Sequence, residues 1–403
     1  MHRARTFCGR FERTTSLLKQ VSLWIAGAGL GLWAGWAAGA PPPAQVYYIP
    51  GSEDQIRATF LAASATTGTN IHNVVSLAAN ATNTIIVYDQ WEDGYEPDIS
   101  NPTQLTTRVW GDNNPANGIP PGFTNDLINA GTVLLLQSDV VVPHNPTNLY
   151  YDGQDKIAAS KAVAVTFASW PVSPGPVLGD AFEVLDTSKH GTNFYATVGE
   201  NVVVGSGIFN YSALIIMPSQ NGTVVRVDTN ADGSMDLTNT LAQGQSWLVN
   251  TNGGIQAGAR VLSSAPVQVH LLTARRNSAY QNRWFTLHPR ERWSTGYYSP
   301  VAKTANNDPA AVFLFNAGAS ALTVNYQTAT ASGSTNVAAG GVTQFLMPTN
   351  SGARFFTTNG TAFAAVHAMD VPTASTSNNG DDYDWGCSLL PADALSPTIL
   401  IGY

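Results

Sequence analysis

From Gln45 onward, short apolar runs alternate with clusters of Gly, Asn, Pro and Ser. TNTIIVYDQ (from Thr82), TQLTTRVW (Thr103), GTVLLLQ (Gly131), AVAVTFA (Ala162) and SALIIMP (Ser212) carry the β-branched and aromatic enrichment of strands. GTVVRVD (Gly222), SWLVN (Ser246), PVQVHLL (Pro266), AVFLFN (Ala311) and ALTVNYQ (Ala321) continue it. One segment breaks the rhythm. Glu53–Ala63 has helical spacing, with Ile56, Phe60 and Leu61 on one face. Ser52 stands at the cap position, and Gln55 three residues later predicts a capping box.

The strand pattern repeats itself at about one hundred residues. GARVLSSAPVQVHLL (Gly258–Leu272) corresponds to KIAASKAVAVTFA from Lys156 and to GARFFTTNGTAFAAVHA from Gly352. Phe182–Val198, Phe285–Val301 and Cys387–Tyr403 then align without a gap. An order kept three times predicts one supersecondary unit built three times. The expected fold is all-β, with tandem units at residues 41–198, 199–301 and 302–403. Each unit would be an antiparallel sandwich of seven or eight strands. A six-bladed β-propeller is the rival arrangement. The first unit carries long insertions at Trp91–Asn101, Gly111–Asn125 and Pro143–Asp155, where binding residues are expected.

Residues 1–40 change the picture of where the chain works. A basic lead (Arg3, Arg5, Arg10, Arg13, Lys19) precedes an apolar run, Val21–Ala38, and Ala38-Gly39-Ala40 follows. That is the pattern of a cleaved signal peptide, with a retained anchor as the alternative. Cleavage would move the formal charge from −8 to −12, which excludes a nucleic-acid partner on electrostatic grounds. It would also leave no membrane contact and one cysteine, Cys387, so no internal disulfide is expected.

Two acidic stretches offer chemistry. In DTNADGSMD, Asp228, Asn230 and Asp232 occupy positions 1, 3 and 5 of a calcium loop. Gly233 supplies the bend, Ser234 a carbonyl and Asp236 a ninth-position oxygen. Asn239 replaces the usual bidentate Glu, and the flanks read as strands, so the same residues also suit an Asx-rich hairpin turn. The second stretch is YDQWEDGYEPD, with Asp89, Glu92, Asp93, Glu96 and Asp98 around Trp91 and Tyr95. YYDGQDK adds Asp152, Asp155 and a potential partner, Lys156. A calcium site, a glycoside-cleaving carboxylate pair and a solvated acidic loop pinned by Trp91 and Tyr95 are the three readings. The histidines show neither HxxxH nor HxH spacing, which predicts no zinc site. No nucleophile elbow, Walker loop or dinucleotide fingerprint is present.

The run SSAPVQVHLLTARRNSAYQNRWFTLHPRERWSTGYYSPV resembles the repeated core of the IgGFc-binding protein N-terminal domain. GTNFYATV and STGYYSPV carry its G-x-x-Y-Y element, while YDQWEDGYE and YDGQDKIAASKAVAV resemble versions in large bacterial exported surface proteins. The resemblance implies a non-catalytic surface module and carries over no catalytic residue. With the leader and the repeats, the expectation is an exported binding or adhesion module for an extracellular protein or glycan, with Ca2+ as a stabilising ion. The alternative is a secreted carbohydrate-active enzyme using the Asp89–Asp98 carboxylates.

Overall fold

The computed structural model describes residues 45–64, 67–175, 178–278, 282–301, 310–369, 371 and 386–396. The expected signal peptide and the end of the third aligned segment, 397–403, lie outside them. The protein is mostly β, and every strand pairing is antiparallel.

The chain opens with β1 (Gln45–Tyr48), α1 (Glu53–Ala63), β2 (Asn70–Ala79), β3 (Ile86–Asp89) and β4 (Arg108–Trp110). It continues through β5 (Val133–Val141), β6 (Lys156–Ala159), β7 (Val163–Pro171), β8 (Asp180–Val184) and β9 (Gly191–Tyr195). These give two four-stranded sheets, β1-β6-β3-β4 and β5-β2-β7-β8. Next come β10 (Tyr211–Pro218), β11 (Thr223–Asp228), β12 (Leu237–Leu241), β13 (Trp247–Val249), β14 (Arg260–Ala274), β15 (Asn282–Thr286) and β16 (Gly296–Ser299). The long β14 serves two neighbourhoods. Arg260–Ser263 pair with β11, and the same end of the strand pairs with β9. Val267–Ala274 pair with β10, and His270–Ala274 with β15. Its register against β9 shifts between Leu262 and Val267.

The last strands are β17 (Ala311–Phe315), β18 (Leu322–Thr328), β19 (Ser332–Val337), β20 (Val342–Leu346), β21 (Ala353–Phe356), β22 (Ala364–Ala368) and β23 (Gly386–Ser388). They form β16-β21-β18-β19 and β20-β17-β22-β23. With β14 divided at its irregularity, the same pairing order occurs three times along the chain. In each round the outer strand (β1, β9 or β16) comes from the segment before it. The gap-free alignment also has a structural counterpart. Short 3-10 turns at Thr187–Lys189, Arg290–Arg292 and Ala392–Ala394 occupy matching positions.

Packing is sandwich-like. Tyr47, Ile86, Tyr88 and Trp110 of the first sheet share a core with Val75, Leu77, Leu136 and Phe167 of the second. Every residue of β10 is buried, because its two faces feed different cores. Tyr211, Ala213 and Ile215 join the first core, while Leu214 and Ile216 join the next with Val225, Val227 and Val261. β17 repeats the device, with Ala311 and Phe313 on one side and Val312 and Leu314 on the other. Burying each aliphatic side chain of this size contributes about 1.5–3 kcal/mol. A strand with two apolar faces therefore stays in the interior, and the described residues form one compact unit.

Several local expectations need correction. TQLTTRVW is strand only at Arg108–Trp110, and the central strand β2 was not expected at all. Ser52 caps α1 without a side-chain bond. Gln55 instead donates to the Ser246 carbonyl and accepts from the Ser246 hydroxyl, so a tertiary contact takes the place of the capping box. Leu61 is 38% exposed; the buried face of α1 is Glu53, Ile56, Thr59, Phe60 and Ala63.

Candidate functional site

The buried polar centre of the protein lies beside α1. Ile56, Phe60 and Ala63 seat the helix in the first core, and their spacing carries Glu53 inward with them. Glu53 is fully buried. Its Oε1 accepts from Gly153 N at 2.9 Å and Asn73 Nδ2 at 3.1 Å, while Oε2 has no hydrogen-bond donor. The segment before β6 brings Asp152 and Asp155, both fully buried, and β3 leads into Trp91 and Glu92. The insertion after β5 supplies His144, whose side chain is 3% exposed.

The groups converge. His144 Nδ1 lies 3.5 Å from Glu53 Oε2 and 4.0 Å from Asp152 Oδ2, and Nε2 lies 3.7 Å from Glu92 Oε1. Ligand atoms of Glu53, His144 and Asp152 lie within 4.8 Å of one another, as do those of Glu92, Asp152 and Asp155. The roles of the carboxylates differ. Asp155 is saturated: Oδ2 accepts from Tyr88 OH at 2.5 Å and Asp152 N at 3.1 Å, and Oδ1 accepts from Trp91 N at 3.2 Å. Glu92 Oε1 accepts from Tyr150 N at 3.0 Å, leaving Oε2 without a donor. Neither oxygen of Asp152 and neither ring nitrogen of His144 has a hydrogen-bond partner. Trp91 and Tyr150 rings close over the imidazole at 5.3 and 5.6 Å.

Charge here is out of balance. Burial, reinforced by the neighbouring carboxylates, holds Asp152 and Asp155 well above the usual carboxylate range. Burial also raises Glu92. For His144, burial favours the neutral ring, but Glu53 and Glu92 outweigh it and leave the pKa raised. Such a group of carboxylates takes up protons or a cation, since ionised and unpaired they would cost several kcal/mol each.

The remaining acidic residues of YDQWEDGYEPD go elsewhere. Asp89 and Glu96 are buried, but Lys156 pairs with Asp89 at 3.6 Å and not with Asp152 or Asp155. Glu96 organises the following loop by accepting from Thr103 N at 2.7 Å and from Gln104 N, and its own N–H donates to Asp89. Burial pushes Asp89 up to about 6 against the opposing effects of the Glu96 N–H and Lys156. Asp93 and Asp98 are exposed. Asp98 accepts from Ser100, which lowers its pKa. Tyr95 does anchor the stretch, donating to the Gln154 carbonyl at 2.5 Å with Lys156 over its ring.

The Asp228 loop is a self-contained turn between β11 and β12. Asp228 accepts from Gly233 N, Asp232 from Ser234 N, and Asp236 from both Thr229 N and Thr229 Oγ1. Asn230 and Asp232 bond each other across the exposed tip. Asp228 is 3% exposed, and its Oδ1 has no donor. The three aspartates are not among the described groups whose ligand atoms all lie within 4.8 Å. Burial, with Asp180 and Glu183 nearby, pushes the Cys387 thiol up to about 11.

Sequence reasoning did not find Glu53 and His144. Glu53 carried a signal, since it shares the helical spacing of Ile56, Phe60 and Ala63; His144, alone in a loop, carried none. No protein family, no curated protein and no solved structure matches the chain. Among the described residues, no helix is long and apolar enough to cross a membrane.

Proposed function

We propose that this is an exported, non-catalytic binding module, with the insertions of the first unit as its contact surface for an extracellular protein or glycan. The observation that carries the reading is the closure of the acidic centre. Glycoside cleavage needs two carboxylates open to a substrate at a fixed separation. Glu53, Asp152 and Asp155 are fully exluded from solvent, and the side chain of Glu92 is 0% exposed. These four carboxylates brace loops and cannot meet a sugar, and of the Asp89–Asp98 acidic side chains only Asp93 and Asp98 are open to solvent. The loops of the first unit hold out apolar side chains: Leu105 is 94% exposed, and Ile119, Phe123 and Leu149 are each near 40%. Apolar groups on long loops over a rigid β scaffold suit recognition. The leader and the likeness to the IgGFc-binding N-terminal domain support export and a surface role.

The test pairs glycan and extracellular-protein arrays with a panel of chromogenic glycosides. The expected result is saturable binding that falls at least tenfold in a Leu105→Ser, Phe123→Ser double variant, with no turnover. Glycoside turnover abolished by Asp93→Asn would overturn the reading.

A further inference from the structure

We propose that the buried centre beside α1 binds one divalent transition-metal ion of the zinc class, held by Glu53, His144 and Asp152, whose ligand atoms all lie within 4.8 Å of one another. The inference is independent of the recognition role proposed above. It rests on side chains that are closed from solvent yet lack partners. Asp152 and the imidazole of His144 are more than nine-tenths buried, and all four of their polar side-chain atoms lack a hydrogen bond. Glu53 Oε2 adds one more bare oxygen to the same group.

The geometry suits an ion. Zinc takes N and O ligands at about 2.0–2.1 Å, which sets neighbouring ligands of a tetrahedron roughly 3.3–3.4 Å apart. The His144 Nδ1 separations of 3.5 Å to Glu53 and 4.0 Å to Asp152 need only small closure. The supporting bonds are those that orient metal ligands. Glu53 is fixed through Oε1 by Gly153 N and Asn73, and the Asp152 backbone by Asp155. Glu53 is thus anchored by one oxygen and bare at the other. An imidazole among few ligands favours a first-row transition ion over calcium, which prefers six to eight oxygens. The ion would join α1 to the insertion between β5 and β6, which supplies both His144 and Asp152.

The experiment uses the full mature chain after treatment with chelator, titrated with zinc chloride and followed by calorimetry and thermal melting. The expected result is one zinc per chain and a melting temperature raised by roughly 5 °C at saturation. His144→Ala and the near-isosteric Asp152→Asn should each weaken binding at least a hundredfold. Asp232→Ala, in the separate loop, and His72→Ala, which removes a half-buried ring paired with Asp139, should keep the full response. Zinc without effect on the melting curve would overturn the proposal. So would a zinc response that survives in both His144→Ala and Asp152→Asn. Loss of array binding with zinc binding intact would count against the recognition reading alone.

Discussion

Gly153 N donates to Glu53 Oε1 at 2.9 Å, joining the loop before β6 to the first turn of α1 across one hundred residues of chain. The contact needs glycine for a steric reason. A Cβ on Gly153 would lie 2.3 Å from the Gly51 carbonyl oxygen and 3.1 Å from Glu53 Oε1. Backbone cannot yield as a flexible side chain can. Gly153→Ala should therefore cost about 1–3 kcal/mol, the range for overpacking a closed interior. Urea unfolding measures it; an unchanged midpoint would show that the loop is freer than its bonds suggest.

Trp284 ties β15 to the first core. Its ring stacks on Phe182 at 4.7 Å and on Phe60 of α1 at 5.7 Å. It is 2% exposed. Trp284→Ala should destabilise the protein by about 3–5 kcal/mol, with Trp284→Phe recovering more than half. A loss below about 1 kcal/mol in chemical denaturation would mean that the two rings pack without it.

Acid should weaken the fold through its buried histidines. Burial lowers His190, His288 and His367 to about 4 each and His270 to about 3. The unfolded chain takes up these protons below about pH 6.5, whereas the folded chain refuses them until pH 4 or lower. Their contribution is complete above pH 6.5 and drains as pH falls, by up to about 1.4 kcal/mol per unit for each ring. Asp89 acts in the opposite sense, since its raised pKa stabilises the fold as pH drops through about 6. The difference between wild type and His270→Gln isolates one ring. The variant should lose stability less steeply between pH 6.5 and 4, and equal slopes would contradict the burial account.

The Asp228 loop is proposed as a weak calcium site, with an affinity of order 10⁻⁴–10⁻³ M because Asn239 lacks the bidentate carboxylate. Millimolar calcium should raise the melting temperature by linkage, and Asp232→Ala should remove the response. The folded loop already gives each of its three aspartates a backbone N–H donor, so the shift should be a few degrees at most. Identical curves in calcium and chelator would leave it a turn.

Much of the scaffold was legible in the sequence, and the centre of the site was not. Phe182–Val198 aligns with Phe285–Val301 because both must make an edge strand, a tight turn and a strand lent to the next sheet. Such positional demands leave a readable pattern. β2 escaped because His72, Asn73 and Ser76 interrupt its apolar alternation, yet Asn73 and Ser76 are buried. Asn73 bonds Glu53 and Ser169 there, so tertiary bonds replace apolar character. Asp152 and Glu92 were visible as members of acidic stretches. Sequence could not separate them from Asp93 and Asp98, because inward direction depends on loop geometry. His144 shares no spacing with any other ligand, and only the fold brings it to Glu53.

The most direct measurement is anomalous diffraction at the zinc absorption edge from crystals of the mature chain grown with zinc. The predicted result is a single strong peak about 2.1 Å from His144 Nδ1, between Glu53 Oε2 and the Asp152 carboxylate. A featureless map at that point, with the carboxylates drawn together around shared protons, would contradict it.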